Sequence, residues 1–365
     1  MEQPGFKLRA VTIHFEASAD VDSIEDAVFK AKEAIDRLTA EKGVEVWSLR
    51  AVLTPGESVA DSLGRVAELE PLVEEEGVFI NLGLHNASAD DWEAVSGIVE
   101  SGFFLSFALE NGTWEEARSY SKLLHRLADK SPDLAVHIGF NPLGTHILTP
   151  YFPLATSPGE QRTVTVALLY PRYLLESFRK GGLQAVIDSM VDAAQLSGEY
   201  GKAVAKDVEG SFAGVDLSIS PWMEESSLAL VEEVGGVRLP EPGFAYGLRL
   251  VNEAIAAAAS KTGYAVGFNE VQLPVAEDSK LKVRVAELET SARDLLRLSG
   301  VCLAGLDMAV IPASLDGVAG LLLEARAYSR AKGSIVGVRL IPLDGVEPGD
   351  EVFLKRFGEV PVIPI

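Results

Sequence analysis

The chain has 365 residues, of which 47% are hydrophobic, and acidic residues outnumber basic ones 54 to 32, so that the formal charge is −22. Such a surface repels phosphate groups, and we therefore expect neither nucleic acid nor an anionic membrane as a partner. No apolar run approaches the ~20 residues of a membrane span, and the first residues lack the basic and apolar regions of a signal peptide. The single cysteine, Cys302, leaves no internal disulfide framework. The expected location is the cytoplasm. Scarce Asn and Gln beside many charged residues are typical of thermophiles.

Strand-like and helix-like stretches alternate along nearly the whole chain. A strand over 7–16 precedes a helix over 21–42, whose apolar residues share one face and which Gly43 ends. Thr113 and Glu116 have the spacing of a capping box. The complete set of predicted strands is 7–16, 44–53, 78–85, 103–110, 134–140, 163–170, 212–221, 264–273, 306–312 and 334–343. Strands separated by helices predict parallel pairing, and we expect one α/β domain over 1–365.

Several predicted strands are apolar on one face and polar on the other. In 212–221, Asp216, Ser218 and Ser220 alternate with apolar residues, and His14 and Asp307 lie on similar polar faces. Unpaired polar groups in a dry core would cost on the order of a few kcal/mol each. The pattern therefore predicts a ten-stranded βα barrel with a polar interior, and an open sheet with one partly solvated face is the alternative.

The segment 141–162 interrupts this alternation. It contains four prolines and has no helix or strand periodicity. Long irregular segments in compact domains often serve as lids or binding loops, and a surface excursion or a subunit contact is the alternative.

The candidate catalytic residues are Cys302, Asp307 and Asp216. A lone cysteine is either a nucleophile with a lowered pKa or a small buried hydrophobe. A carboxylate in a strand needs a partner or a wet cavity, and Arg339 in the last long strand is a candidate partner for either aspartate. A purely structural ion pair is the alternative.

Further polar residues are candidates for ligand binding. The acids between 269 and 278 form either a carboxylate pair for proton transfer or metal binding, or a helix cap. Inward histidines at three strands could hold a zinc-like ion, although satisfied core histidines are the more usual outcome, and no metal is assigned. The predicted binding residues are Ser218, Asn269, Glu270, Glu277, Asp278, Arg339, His14 and His137.

Eight stretches resemble, in chain order, segments of an uncharacterised family called domain of unknown function 711 or uncharacterised protein family 0210. These stretches are "FKLRAVTI" (6–13), "TPYFPLAT" (149–156), "GVDLSISP" (214–221), "LPVAEDSKL" (273–281), "DLLRLSGVC" (294–302), "VCLAGLDMAVIP" (301–312), "VGVRLIP" (336–342) and "FGEVPVI" (357–363). The resemblance implies a fold similar to the ten-stranded barrel of pyruvate formate-lyase-like glycyl radical enzymes. In those enzymes, a thiol on a loop inside the barrel relays a radical from a glycine.

The functional expectation follows from this resemblance and from the polar strand faces. Cys302 supplies the one available thiol, but Gly358 lacks the neighbours of a glycyl radical motif. We expect an enzyme of small-molecule metabolism with its site inside the barrel and without a glycyl radical. The alternative is a non-catalytic small-molecule-binding or sensing protein on the same barrel. No cofactor is assigned, and the expected partners are a small-molecule ligand and, as a homodimer, a second copy of the chain.

Overall fold

The computed structural model describes residues 5–301 and 303–365. Eleven strands occur in this part of the chain: β1 (Lys7–His14), β2 (Leu49–Val52), β3 (Phe79–His85), β4 (Phe104–Ala108), β5 (Ile138–Asn141), β6 (Thr163–Leu169), β7 (Ser211–Asp216), β8 (Gly305–Pro312), β9 (Gly337–Leu343), β10 (Glu351–Leu354) and β11 (Gly358–Pro361). Its helices are α1 (Val21–Lys42), α2 (Val59–Gly64), α3 (Val66–Glu74), α4 (Trp92–Glu100), α5 (Trp114–Lys130), α6 (Pro132–Ala135), α7 (Pro171–Asp207), α8 (Ser227–Gly235), α9 (Phe244–Thr262), α10 (Ser279–Ala286), α11 (Ala292–Ser299) and α12 (Leu315–Lys332).

Local sequence explains where α1 begins and ends. The Asp20 side chain accepts a hydrogen bond from the Ser23 N–H, and this satisfies a donor of the first turn. Gly43 follows the helix with φ +72°, a conformation that glycine adopts without steric penalty. The predicted helix over 21–42 is confirmed.

The long helix α7 is interrupted by non-helical backbone at Gly181 and Gly182.

Nine strands form one sheet in the order β7-β6-β1-β2-β3-β4-β5-β9-β8. Strands β1 to β5 run parallel to one another, β6 is antiparallel to β1, and β9 is antiparallel to β5. Strands β7 and β8 each run parallel to their neighbours β6 and β9. The C-terminal ends of β6 to β9 therefore lie where β1 to β5 begin. Strands β10 and β11 pair separately as a hairpin.

The predicted α/β class is confirmed. The large sheet has nine strands in the described part of the chain, where ten were expected. Residues 264–273 contribute single bridges instead of a continuous strand, because Gly267 (φ +86°) and Asn269 (φ +53°) are left-handed. These bridges nevertheless join Val271 both to Ile219, just after β7, and to Leu303, just before β8. The prediction of a strand from residue 134 is also wrong, because Pro132 opens the short helix α6 there.

The two faces of the sheet are covered differently. The apolar face packs against helices in one continuous core. The polar face surrounds residues 142–162, here called the interior segment, which has no regular secondary structure and joins β5 to β6. Thr149, Ala155 and Thr156 of this segment are fully buried. The segment is therefore not a surface excursion. None of the helices within the described ranges is long and apolar enough to cross a membrane.

Candidate functional site

Polar side chains of the strands hold the interior segment by its backbone. Asn81 of β3 and Ser106 of β4 both donate hydrogen bonds to the Pro153 carbonyl oxygen. Arg50 of β2 donates from Nη1 to the Pro150 carbonyl oxygen at 2.9 Å. Much of the polar face that the sequence shows therefore satisfies buried backbone groups.

Asp216 has a similar anchoring position. Its carboxylate accepts hydrogen bonds from the Thr149 hydroxyl at 2.9 Å, the Ser218 hydroxyl at 2.6 Å, and the N–H groups of Phe268 and Asn269 at 2.9 and 3.1 Å. Burial raises the pKa of Asp216, and its hydrogen bonds with Ser218, Phe268 and Asn269 act against that rise. Asp216 therefore connects the interior segment to residues 268–269. The catalytic role predicted for Asp216 stays a prediction.

A cavity of about 460 Å³ lies at the end of the sheet where β1 to β5 begin. Its wall includes the aromatic side chains of Trp47, Phe79, Phe104, Tyr151, Phe152, Trp222 and Phe357. Tyr151 and Phe152 come from the interior segment, which thus forms one side of the cavity. Both the volume and the mixture of aromatic walls with a few charged groups are typical of a small-molecule site.

Four charged side chains in this cavity form a chain of ion pairs. Glu277 contacts Arg9 through Oε2 and Arg339 through Oε1, the latter at 3.3 Å. Arg339 also holds Asp307 with two hydrogen bonds, from Nε to Oδ1 at 2.6 Å and from Nη2 to Oδ2 at 2.9 Å. The Asp307 side chain is 33% exposed, while the other three are at most 8% exposed. Asp307 is therefore the member that faces the open space.

Arg339 is buried, and burial by itself lowers the pKa of its guanidinium. The charges and hydrogen bonds of Asp307 and Glu277 outweigh this effect, so the pKa of Arg339 lies above its ordinary value. Of the two aspartates for which Arg339 was a candidate partner, the structure pairs it with Asp307.

Arg50 differs from Arg339 because no carboxylate contacts it in the described part of the chain. It donates to the Ser48 hydroxyl at 3.1 Å and to the Pro150 carbonyl oxygen. Burial, followed by the nearby charges of Arg9 and Arg356, lowers the pKa of Arg50 to about 9. This part of the cavity therefore has an excess of positive charge.

Aromatic rings stabilise the two other arginines at this end. Trp47 and Trp222 meet edge to face, with ring centroids 4.5 Å apart. The Arg9 guanidinium lies 5.4 Å from the Trp47 ring and 5.9 Å from the Trp222 ring, and Arg356 lies over both rings and over Phe79 at 4.7 Å. Cation–π attraction partly replaces the water that these arginines lose.

The histidines have separate structural partners. His14 is fully buried, contacts the Thr165 hydroxyl at 2.9 Å and the Thr156 carbonyl at 3.2 Å, and lies outside the cavity wall. His137 is part of that wall and stacks on Phe104 at 4.4 Å. Burial lowers the pKa of each of these two imidazoles to about 4. Over residues 5–301 and 303–365, no three His, Cys, Asp or Glu side chains are arranged to hold a metal.

The acidic stretch between 269 and 278 divides into distinct roles. Asp278 caps α10 by accepting from the N–H groups of Lys280 and Leu281, which confirms the capping interpretation for this residue. Glu270 pairs with Lys332. The Asn269 side chain accepts from the Leu217 N–H at 3.0 Å. Glu277 alone among the four predicted residues of this stretch enters the cavity wall.

The cavity thus brings together only part of the predicted site. Its wall includes Asp307, Glu277, Arg339 and His137 and does not include Asp216, Ser218, Asn269, Glu270, Asp278 or His14. Cys302 lies outside the described residues, so its predicted role is not located.

Sequence reasoning missed the aromatic residues and Arg9, Arg50 and Arg356. A signal was present for two of them, since a single arginine interrupts each of the strand sequences "KLRAV" (7–11) and "SLRAV" (48–52). A lone guanidinium within a buried strand requires an interior partner or a cavity.

Comparison with known proteins identifies several UPF0210 proteins as relatives of this chain. A UPF0210 protein of Pyrobaculum arsenaticum is 33% identical over 208 residues, which are 50% of this chain and 46% of that protein. A UPF0210 protein of Pyrobaculum islandicum is 25% identical over 94% of this chain and 84% of its own length. One of Methanopyrus kandleri is 33% identical over 45% of this chain. The matched stretch is under half the length of the first of these relatives. Relatives from thermophiles are among them, in keeping with the composition.

Among solved structures, the fold is similar to an anaerobic ribonucleotide reductase from Thermotoga maritima, with a TM-score of 0.45 at 9% identity, over 97% of this chain and 77% of that one. A second anaerobic ribonucleotide reductase has a TM-score of 0.41 at 11% identity, over 98% of this chain and 74% of its own.

The model of the family described as "Uncharacterised ACR (DUF711)" matches residues 119–355, which is more than half of the chain. The matched range contains the interior segment, Glu277, Asp307 and Arg339. This chain belongs to that uncharacterised family.

Proposed function

We propose that this chain is a cytoplasmic enzyme of small-molecule metabolism, with its substrate bound in the 460 Å³ cavity. One observation carries the proposal: Asp307 turns a partly exposed carboxylate toward the cavity, while a buried arginine grips both of its oxygens. A carboxylate held in this way has one orientation relative to a bound molecule, and it can orient a substrate or accept a proton.

The proposed reaction does not use a glycyl radical. This part of the proposal rests on Gly358, which lacks the neighbours of a glycyl radical motif. Cys302 keeps the role that we predict from the sequence, that of a nucleophile or an acid/base. Titration of this thiol with and without metabolites tests the role, because a reactive thiol that a ligand protects supports it and an inert thiol contradicts it.

The test of catalysis compares three variants with the wild-type protein by mass spectrometry of a defined metabolite mixture. We expect the wild type to convert at least one compound and Asp307→Asn to reduce the rate by about a hundredfold or more, the usual contribution of an acid/base residue. Cys302→Ser tests the thiol in the same assay. Asp316→Asn, which alters an exposed carboxylate paired with Arg118, is the matched control and should keep the rate.

The second candidate function is a binding or sensing protein. It is favoured by one feature, namely that all four oxygens of Glu277 and Asp307 are held by arginines. Saturable binding of a metabolite without conversion would support this function and contradict the enzyme. Full activity of Asp307→Asn would instead contradict the role of that residue.

A further inference from the structure

Three buried polar side chains in the cavity wall carry groups without a hydrogen-bond partner among the residues that the structure describes. The Nη2 of Arg50, the Ser220 hydroxyl and the Gln272 amide make no hydrogen bond to any residue that the structure describes, although these residues are only 8%, 1% and 9% exposed. Buried polar groups are nearly always hydrogen-bonded. Because Arg50, Ser220 and Gln272 line the cavity, a molecule bound there can supply the missing partner.

The backbone places Ser220 and Gln272 on neighbouring segments, and Arg50 is linked to this region through Arg9. Ile219 forms a parallel bridge with Val271, and the Gln272 N–H donates to the Ile219 carbonyl at 3.0 Å, so that Ser220 and Gln272 follow on neighbouring segments. The next residue, Pro221, accepts a hydrogen bond from Arg9 Nη1 at 2.7 Å. Ser48 links Arg9 to Arg50, because its hydroxyl donates to the Arg9 carbonyl oxygen at 2.8 Å and accepts from Arg50 Nε at 3.1 Å.

The charged side chains of the cavity wall favour an anionic ligand. Arg9 and Arg339 share Glu277 and Asp307, which leaves the charges of Arg50 and Arg356 without a carboxylate among the described residues. The cavity wall also contains Lys355, Asp133 and Glu100. Asp133 accepts a hydrogen bond from the Lys355 backbone N–H at 3.0 Å, and Glu100 is paired with Lys130. A local positive surplus in a chain of charge −22 is what an anionic ligand requires.

We propose that Arg50, Ser220 and Gln272 form a subsite for the carboxylate or phosphate group of a small organic anion. The guanidinium supplies a charge-assisted hydrogen bond, while the hydroxyl and the amide supply neutral ones. A flat apolar body of the same molecule lies against the aromatic wall. This assignment rests on the proposed function for its choice of the cavity as the substrate site.

Isothermal titration calorimetry with four probes tests the subsite. We expect the wild type to bind benzoate or phenyl phosphate and not benzamide or benzylamine, which carry the same ring without the negative charge. Benzoate and phenyl phosphate separate a carboxylate ligand from a phosphate ligand. Failure of both anions to bind, or equal binding of benzamide, would overturn the subsite.

Variants then locate the bound anion. Arg50→Gln should weaken binding about ten- to a hundredfold, as expected for a lost hydrogen bond to a charged group. Ser220→Ala and Gln272→Leu should each weaken it, and Arg50→Lys should restore part of the affinity lost in Arg50→Gln. Arg118→Gln, at an exposed arginine outside the cavity, is the control. Circular dichroism confirms that each variant is folded, and wild-type affinity in Arg50→Gln together with Ser220→Ala contradicts the proposal.

The subsite and the enzyme can fail separately. Asp307→Asn should bind the same anion as the wild type, since Asp307 is outside the subsite, while losing turnover. Anion binding without any turnover would refute the enzyme and support the subsite. Turnover of a neutral or cationic compound would refute the subsite and support the enzyme.

Discussion

The Arg339 guanidinium holds the Asp307 carboxylate in a two-point contact, from Nε to Oδ1 at 2.6 Å and from Nη2 to Oδ2 at 2.9 Å. The two residues lie on the neighbouring strands β9 and β8 and are separated by 32 positions in the sequence. Through its contact with Glu277, the same guanidinium also joins Asp307 to Arg9. One buried cation therefore organises the charged wall of the cavity.

Replacement of Arg339 by Met should lower the free energy of unfolding by about 1.5–3 kcal/mol, because the partly exposed Asp307 loses its charged partner while Glu277 keeps its contact with Arg9. Urea denaturation at neutral pH measures the change. Arg179→Met, which breaks an exposed pair with Glu233, is the matched control and should have a much smaller effect. Equal losses in the two variants would show that the buried network has no special role in stability.

The shared contact of Asn81 and Ser106 with the Pro153 carbonyl predicts coupling between these two donors. Either donor satisfies the carbonyl alone, so Ser106→Ala should cost about 1 kcal/mol, and Asn81→Ala combined with Ser106→Ala should cost more than the sum of the single variants. A double-mutant cycle by urea denaturation gives the coupling. Ser197→Ala, which removes a donor in α7, should be additive with Ser106→Ala. Additivity at Pro153 would contradict the shared contact.

Gly267 is predicted to tolerate no side chain. It has φ +86°, and a Cβ atom there would lie 2.0 Å from Asp216 Oδ2 and 2.9 Å from Thr149 Oγ1. Gly267→Ala should therefore displace the anchor of the interior segment and lower the free energy of unfolding by at least about 2 kcal/mol more than the control does. The control is Gly263→Ala, which has φ +74° but nothing within 4 Å of the added carbon. Similar thermal denaturation midpoints for the two variants would contradict the anchor.

His14 should make the fold sensitive to mild acid. Burial lowers its pKa to about 4 in the folded state, against 6.5 in the unfolded chain, so the unfolded chain binds the proton first as the pH falls. The free energy of unfolding should therefore fall between pH 6.5 and 4, with a limiting slope of about 1.4 kcal/mol per pH unit. Urea denaturation at pH 5 and 7 measures the fall, and His14→Gln should remove this share of it.

Comparison of His14→Gln with the wild type separates the effect of the imidazole on stability from that of two buried carboxylic acids, whose effect has the opposite sign. Burial raises the pKa of Asp216 and of Asp278, so these groups favour the folded state as the pH falls. Their contribution is common to the wild type and His14→Gln. Identical pH dependence of the two proteins would show that His14 is not buried in its neutral form.

Local pattern sufficed for the secondary structure of most of the chain. Periodicity and Gly43 located α1 over 21–42, and alternation identified the polar faces of strands such as β7. It also indicated that Asp216 and Asp307 occupy unusual surroundings for carboxylates, because both lie in strands. These features depend on residues a few positions apart, which is the range over which helix and strand geometry repeat.

The sequence by itself determined the α/β class, the polar strand faces and the family resemblance. Only the tertiary structure decided what those faces meet, namely the interior segment over most of their length and an arginine-rich cavity at one end. Asn81 and Asp307 look alike as polar residues in strands, yet one binds backbone and the other faces a cavity. The physical reason is that the pleat sets the face of a side chain, whereas its depth and its neighbours depend on strand order and on contacts between distant segments.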